Sequence, residues 1–223
     1  LAEDDILSLT RNQAKGDADA AINKLVESAL DYDETRFEEC IQEAITDTDL
    51  LSAVKNVIYP FMDMVGLLWL TNHVIPGQEH FSSAIIRRKI IAATDRLPRV
   101  KNSGERSVLV FTPSGEEHEI PILIAQYIMR KNKVQTVFAG ADTTVELLEE
   151  FCRHHPATHL YFHLITNFTE KSAGEYLTDL CNRFPETKII ASGPAMKDCA
   201  PAKENCIILR SFDEMADYCS SLK

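Results

Sequence analysis

Residues 66–89 read GLLWLTNHVIPGQEHFSSAIIRRK, and this stretch decides how the first half of the chain is built. Between Pro76 and Leu97, the residues Phe81, Ile85, Ile86, Ile90 and Ala93 recur at three- and four-residue steps. That is the period of a helix with one apolar face. Pro76 can open this helix, because the first turn has no use for its missing N–H. Trp69, the single Trp of the chain, comes late in the preceding helix, across a short turn at Asn72-His73. Glu79 and His80 fall in the first turns of the new helix, where the helix start favours the carboxylate and lowers the proton affinity of the imidazole. The spacing predicts that an aromatic plate, a carboxylate and an imidazole converge at a helix–helix corner. A core Trp beside an exposed helix-start pair is the plainer alternative.

Upstream, the same periodicity predicts a short helix over 3–14 and an amphipathic helix from Ala18 to Leu30. A third runs from about Glu34 to Ile45, with Phe37, Cys40, Ile41 and Ala44 inward. Another spans about Asp49 to Leu70, where Pro60 interrupts the hydrogen-bond ladder and predicts a kink. Four main helices with short connections read as an all-α four-helix bundle over residues 1–98. Pro98 closes it, and the polar run Lys101-Asn102-Ser103-Gly104-Glu105 marks the domain boundary.

From 105 to 223 the pattern changes. Short apolar runs at Val108–Phe111, Val134–Phe138, Leu160–Ile165, Lys188–Ala191 and Ile207–Leu209 alternate with helical segments. The helices are expected over about His118–Lys131, Thr144–His154, Glu170–Phe184 and Phe212–Leu222. Continuous apolar strands between helices predict a parallel sheet covered on both faces. Five of them suit an α/β flavodoxin-like (Rossmann-like) domain with strand order 2-1-3-4-5.

Composition narrows the function classes. The formal charge is −11, a poor basis for gripping nucleic acid with the bulk of the chain. The positive run Arg87-Arg88-Lys89 spreads around a solvated helix face. No apolar run approaches a membrane span, and the N-terminus is not a signal peptide. Six Cys, at 40, 152, 181, 199, 206 and 219, include no C-x-x-C pair. Buried free thiols in a cytoplasmic protein are the simplest account.

Ligands of doubly wound sheets bind outside the carboxyl ends of the strands. The loop after the first strand, Thr112 to His118, lacks the three glycines of a dinucleotide fingerprint. It places Glu116 two residues before His118. A carboxylate that fixes the tautomer of an imidazole makes it a stronger metal donor, so His118 can serve as a single axial ligand. A His that merely caps the next helix is the alternative. Gly140 permits close backbone approach, and Thr143 or Thr144 can cap a helix. The third strand ends in His163-Leu164-Ile165-Thr166 and the fourth in Ser192-Gly193-Pro194, where Gly193 serves either a ligand or a tight turn. His154-His155 reads as a helix-end cap. No hydrolase dyad, G-x-S-x-G elbow or nucleophilic triad can be assembled, so no enzymatic role is expected.

These residues carry a resemblance. The bundle motif W-x9-E-H stands intact as Trp69, Glu79 and His80, and Glu116-Glu117-His118 matches an acidic-x-His motif. The chain from about Ala18 onward resembles the C-terminal sensor region of MerR-type, light- and B12-responsive transcriptional regulators. These have a helical bundle followed by a cobalamin-binding Rossmann-like domain, also similar to that of methionine synthase. The resemblance implies adenosyl- or methylcobalamin as cofactor. It makes His118 the lower cobalt ligand, with Trp69 and Glu79 capping the upper ligand and His80 nearby. Gly140, His163, Ser192 and Gly193 become candidate contacts of the displaced nucleotide tail.

The implied function is a ligand-sensing, oligomerisation-controlling domain, a homo-oligomer that meets DNA only through an N-terminal winged helix outside this chain. The alternatives are a corrinoid carrier of a methyltransferase system, or a cobalamin-free interaction module of the same fold. The sequence departs from the family pattern at Pro121, where a Gly is usual, and at His163, where a small Ser is common. It departs again at Ser192, where a Gly-Gly pair begins, and at Leu70, where some light sensors have a second His.

Overall fold

The structure, a computed structural model, describes residues 16–71, 74–98, 106–166 and 172–222. The helix expected over 3–14, the turn at Asn72-His73, the linker at 99–105 and the expected start of a helix at Glu170 lie outside the described residues. The chain forms two compact units, up to Arg88 and from Lys89 onward.

The first unit is helical. Helix α1 spans Asp17–Leu30 and α2 spans Glu34–Asp47, the latter capped by Asp33, whose side chain accepts from the Arg36 N–H. Helix α3, Leu50–Ala53, passes through a π turn at Val54–Ile58 into α4, Tyr59–Leu70. The expected kinked helix is thus one rod with a widened turn. Pro60 brings a ring that crowds the preceding turn and no N–H, and the π turn lies immediately before it. At 21 residues and mean hydropathy 1.2, this rod is long and apolar enough to cross a membrane. That corrects the expectation that no run approaches such length: Lys55 and Asp63 break the run locally without lowering its average enough. Helix α5 spans Pro76–Asp95 and opens on its proline as the sequence predicts.

Aromatic packing holds this unit. Phe37 is fully buried, with its ring 5.4 Å from Phe61 and 5.9 Å from Phe81, both edge-on. Leu25, Ile41, Val54, Ile58 and Ile86 complete the interior. Arg88, exposed as expected, bonds Glu34 at 2.7 Å and also Glu38, tying α5 to α2 at the surface.

The second unit is a five-stranded parallel sheet ordered 2-1-3-4-5, flanked by helices, as expected. The strands are β1 Ser107–Pro113, β2 Gln135–Thr143, β3 His159–His163, β4 Lys188–Ser192 and β5 Cys206–Leu209. The helices are α6 Ile120–Lys131, α7 Val145–His154, α8 Ala173–Arg183 and α9 Phe212–Ser221, with a short 3-10 turn at Pro194–Met196. Leu109, Val110, Phe111, Leu160, Tyr161, Phe162, Ile189, Ile190 and Ala191 are all fully buried. Burial on both faces explains why these strands read as continuous apolar runs instead of alternating ones.

Two local expectations change. The segment from Ala139 to Thr143, beyond the strand expected over Val134–Phe138, belongs to β2. Register shifts after Val110 and after Phe111 let pairing continue to Pro113↔Thr143. Conversely, β3 stops at His163 and not at Ile165, because the backbone N–H groups of Ile165 and Thr166 turn to a side chain.

Candidate functional site

The carboxyl edge of the sheet is organised by one buried carboxylate. After β1, Ser114 and Gly115 form a turn closed by the Glu116 N–H donating to the Pro113 carbonyl at 3.0 Å. Gly115 takes φ 84°, the left-handed geometry required at the third position of such a turn. The turn carries the Glu116 side chain inward, where only 1% of it remains exposed. One oxygen accepts from the His118 N–H at 3.1 Å and bonds the His118 ring at Nδ1. The other accepts from the N–H groups of Ile165 at 2.8 Å and Thr166 at 2.9 Å, and from the Thr166 hydroxyl at 3.2 Å.

The electrostatics follow from this inventory. Burial works against ionisation of Glu116. The His118 ring and the N–H groups of Thr166, His118 and Ile165 outweigh it, and the pKa falls to about 2. The carboxylate is therefore ionised at neutral pH. With the His118 Nδ1–H donated to that carboxylate, the lone pair of the imidazole lies on Nε2. The His118 side chain is 46% exposed, so the ring stands at the surface on a buried, charged support.

A second strap holds the loop from β2. Asp142, at φ 54°, accepts from the Ser114 hydroxyl at 3.0 Å and the Gly115 N–H at 2.8 Å. Its own N–H donates to the Glu116 carbonyl at 3.2 Å and the Thr112 hydroxyl at 3.1 Å. Those N–H and hydroxyl donors hold the Asp142 carboxyl below its ordinary pKa. Gly140 occupies the register shift just before it, paired with Phe111.

His163, at the end of β3, enters a polar chain. Its Nδ1 bonds the Ser192 hydroxyl at 2.9 Å, and that hydroxyl meets the Tyr161 hydroxyl at 2.8 Å. Burial depresses the His163 pKa, Glu116 raises it and His118 lowers it, for a result of about 4. The ring is therefore neutral at pH 7. Gly193, at φ 107°, faces backbone: an added Cβ would lie 2.3 Å from the Leu164 carbonyl oxygen. The close approach of the Leu164 backbone leaves no room for a side chain at Gly193. Pro121 sits in the first turn of α6, where no N–H is needed.

In the helical unit, Trp69 is 52% exposed near the end of α4, beside the exposed Leu67 and Leu70. It is not a core residue. Glu79 and His80 touch at 3.3 Å in the first turns of α5. His154 bonds Glu150 at 3.1 Å, and the His155 N–H caps α7 on the Phe151 carbonyl, as expected of a helix end. Thr144, one of the two expected caps, accepts from the Leu147 N–H. All six Cys are free thiols.

Sequence reasoning missed Thr166, Asp142 and Tyr161. A signal existed for the first two: the order 2-1-3 brings the ends of β2 and β3 to either side of the β1 loop.

Residues 21–93 match the family model described as the B12 binding domain. Over those residues the helical region is similar to that family. Over 115 residues the chain is 26% identical to the HTH-type transcriptional repressor CarH of Myxococcus xanthus, an alignment spanning 52% of this chain and 38% of that repressor. Its fold is similar to that of the Methanosarcina barkeri monomethylamine corrinoid protein, with TM-score 0.63, 19% identity and full coverage of both chains. A cobalamin-binding protein from Desulfitobacterium hafniense DCB-2 overlays with TM-score 0.41 and 15% identity, over 93% of this chain and 98% of that one.

Proposed function

We propose that this chain is a corrinoid-binding protein in which His118 supplies the lower cobalt ligand, and that it serves as a methyl-group carrier for partner enzymes. The observation that carries the reading is the Glu116–His118 pair. It presents an oriented imidazole at the carboxyl edge of the sheet, at the place where this fold binds ligands. A corrinoid, when bound, would supply a cobalt centre that can carry a transferable group. What it asks of the protein below is one donor atom, and Nε2 of His118 fits that demand. The ionised Glu116 shares the Nδ1 proton and so strengthens the ring as a donor. Trp69, Glu79 and His80 are the proposed contacts of the upper ligand, on the strength of the W-x9-E-H motif.

The carrier role is supported by likeness of fold, over the full length of both chains, to a corrinoid protein. The test is equilibrium binding of hydroxocobalamin and methylcobalamin, followed by transfer of the bound methyl group to a thiol acceptor. His118→Ala should weaken uptake by tenfold or more, since an outer partner alone is worth 10–100-fold in such sites. Uptake unchanged by His118→Ala would reject the ligand assignment.

The similarity to CarH supports a second reading, a ligand-sensing domain that controls oligomeric state in a transcriptional regulator. A ligand can do this only through different affinities for the two assembly states. Gel filtration with and without bound adenosylcobalamin, in the dark and after illumination, separates the two. A change of size with ligand favours the regulator; a constant size with methyl transfer favours the carrier.

A further inference from the structure

The geometry points to a second binding site, at the amino edge of the sheet, for a small organic anion, an aryl carboxylate or aryl phosphate. Arg106, Ser107, Gln135, Val137, Phe151 and His155 line it. The site is a cavity of about 390 Å³, within the range that holds small ligands. It lies at the starts of β1 and β2, at the opposite end of these strands from His118.

Its chemistry is two-sided. Val137, Phe151 and Pro156 make an apolar wall, with the His155 ring 5.4 Å from that of Phe151. The same lining carries donors. The side chains of Arg106, Ser107 and Gln135 have no hydrogen bond among the described residues, whereas the Thr158 hydroxyl is committed to Ser107 and His159. The carboxylate of Glu150, on the helix that carries Phe151, is engaged elsewhere. Glu150 has one oxygen on His154 at 3.1 Å and the other on Arg153 at 2.5 Å. The positive field reaches the neighbouring His159, whose pKa is lowered by burial first and then by Arg106 and Lys188. A cation, two neutral donors and a flat apolar wall together suit an anion attached to a ring. Inorganic phosphate meets only half of that surface.

The test is an amide-resonance titration of the full chain, with no corrinoid needed, using benzoate, phenyl phosphate, inorganic phosphate and neutral benzamide. The account expects saturable shifts at Gln135, His155 and Thr158 with benzoate or phenyl phosphate, and the tighter of the two names the head group. Benzamide and inorganic phosphate should each bind at least tenfold more weakly. Arg106→Gln should cost about tenfold in affinity, and Arg106→Lys should retain part of it. No saturable shift with either aryl anion would overturn the proposal. So would benzamide binding as tightly as benzoate, or Arg106→Gln leaving affinity unchanged.

Discussion

Glu116 is the residue on which the β1 loop depends. It is buried, ionised and saturated with donors from two segments, so its removal strands the N–H groups of Ile165 and Thr166. Its pKa lies below the ordinary value of 4.5, at about 2. A depressed carboxylate contributes stability that is fully present above the unfolded pKa and is lost as pH falls through the folded one. The contribution is on the order of 1–3 kcal/mol, after allowing for solvent at the loop surface. Glu116→Ala should therefore be destabilised by about 2–4 kcal/mol at pH 7 in denaturant unfolding, and the gap from the parent should close between pH 4.5 and 2. A gap independent of pH would show that the charge is not the source. His163 has the opposite sign of charge and the same direction of pKa shift. Its neutral form is the folded form, so its contribution is complete above pH 6.5 and falls as pH drops toward about 4. The imidazole resonances of His163 should titrate with a midpoint near 4; a midpoint near 6.5 would contradict the buried chain to Ser192 and Tyr161.

At the scale of elements, the legible features were those written in local period. The apolar steps of α5 and the continuous apolar runs of the strands gave both units and the 2-1-3-4-5 order. Glu116 and His118 were legible because they lie two residues apart. Thr166 was not, because its bond to Glu116 spans 50 residues and depends on where β3 stops. The π turn before Pro60 escaped for a different reason: a proline in a helix announces a disturbance but not its form. Likewise the reach of β2 to Thr143 depends on register shifts that only the pairing with β1 reveals. Gly193 gives the test at this scale. Its φ is 107° and a Cβ would meet the Leu164 carbonyl oxygen at 2.3 Å, so Gly193→Ala must shift backbone. Thermal unfolding of that variant should show a loss of about 2–4 kcal/mol. A loss below about 0.5 kcal/mol would mean that the β3 and β4 ends can separate freely. In the helical unit, Phe37→Ala should cost about 3–5 kcal/mol, since the rings of Phe61 and Phe81 would then face a void.

For the whole molecule, the central claim is that a corrinoid binds with its cobalt on His118. The acidic charge of −11 gives this chain no overall basic surface for nucleic acid. Pro121 and His163 are the proposed neighbours of the nucleotide tail. If they narrow its path, His163→Ser with Pro121→Gly should raise cobalamin uptake over the parent chain. Unchanged uptake would place the tail elsewhere. The most direct measurement is electron paramagnetic resonance of the cob(II)alamin form bound to protein labelled with nitrogen-15 at histidine. The account predicts that the cobalt lines split into doublets, from one histidine nitrogen, and that His118→Ala abolishes the doublet. Triplets from the nitrogen-14 of the cofactor's own base, in the parent protein, would contradict it.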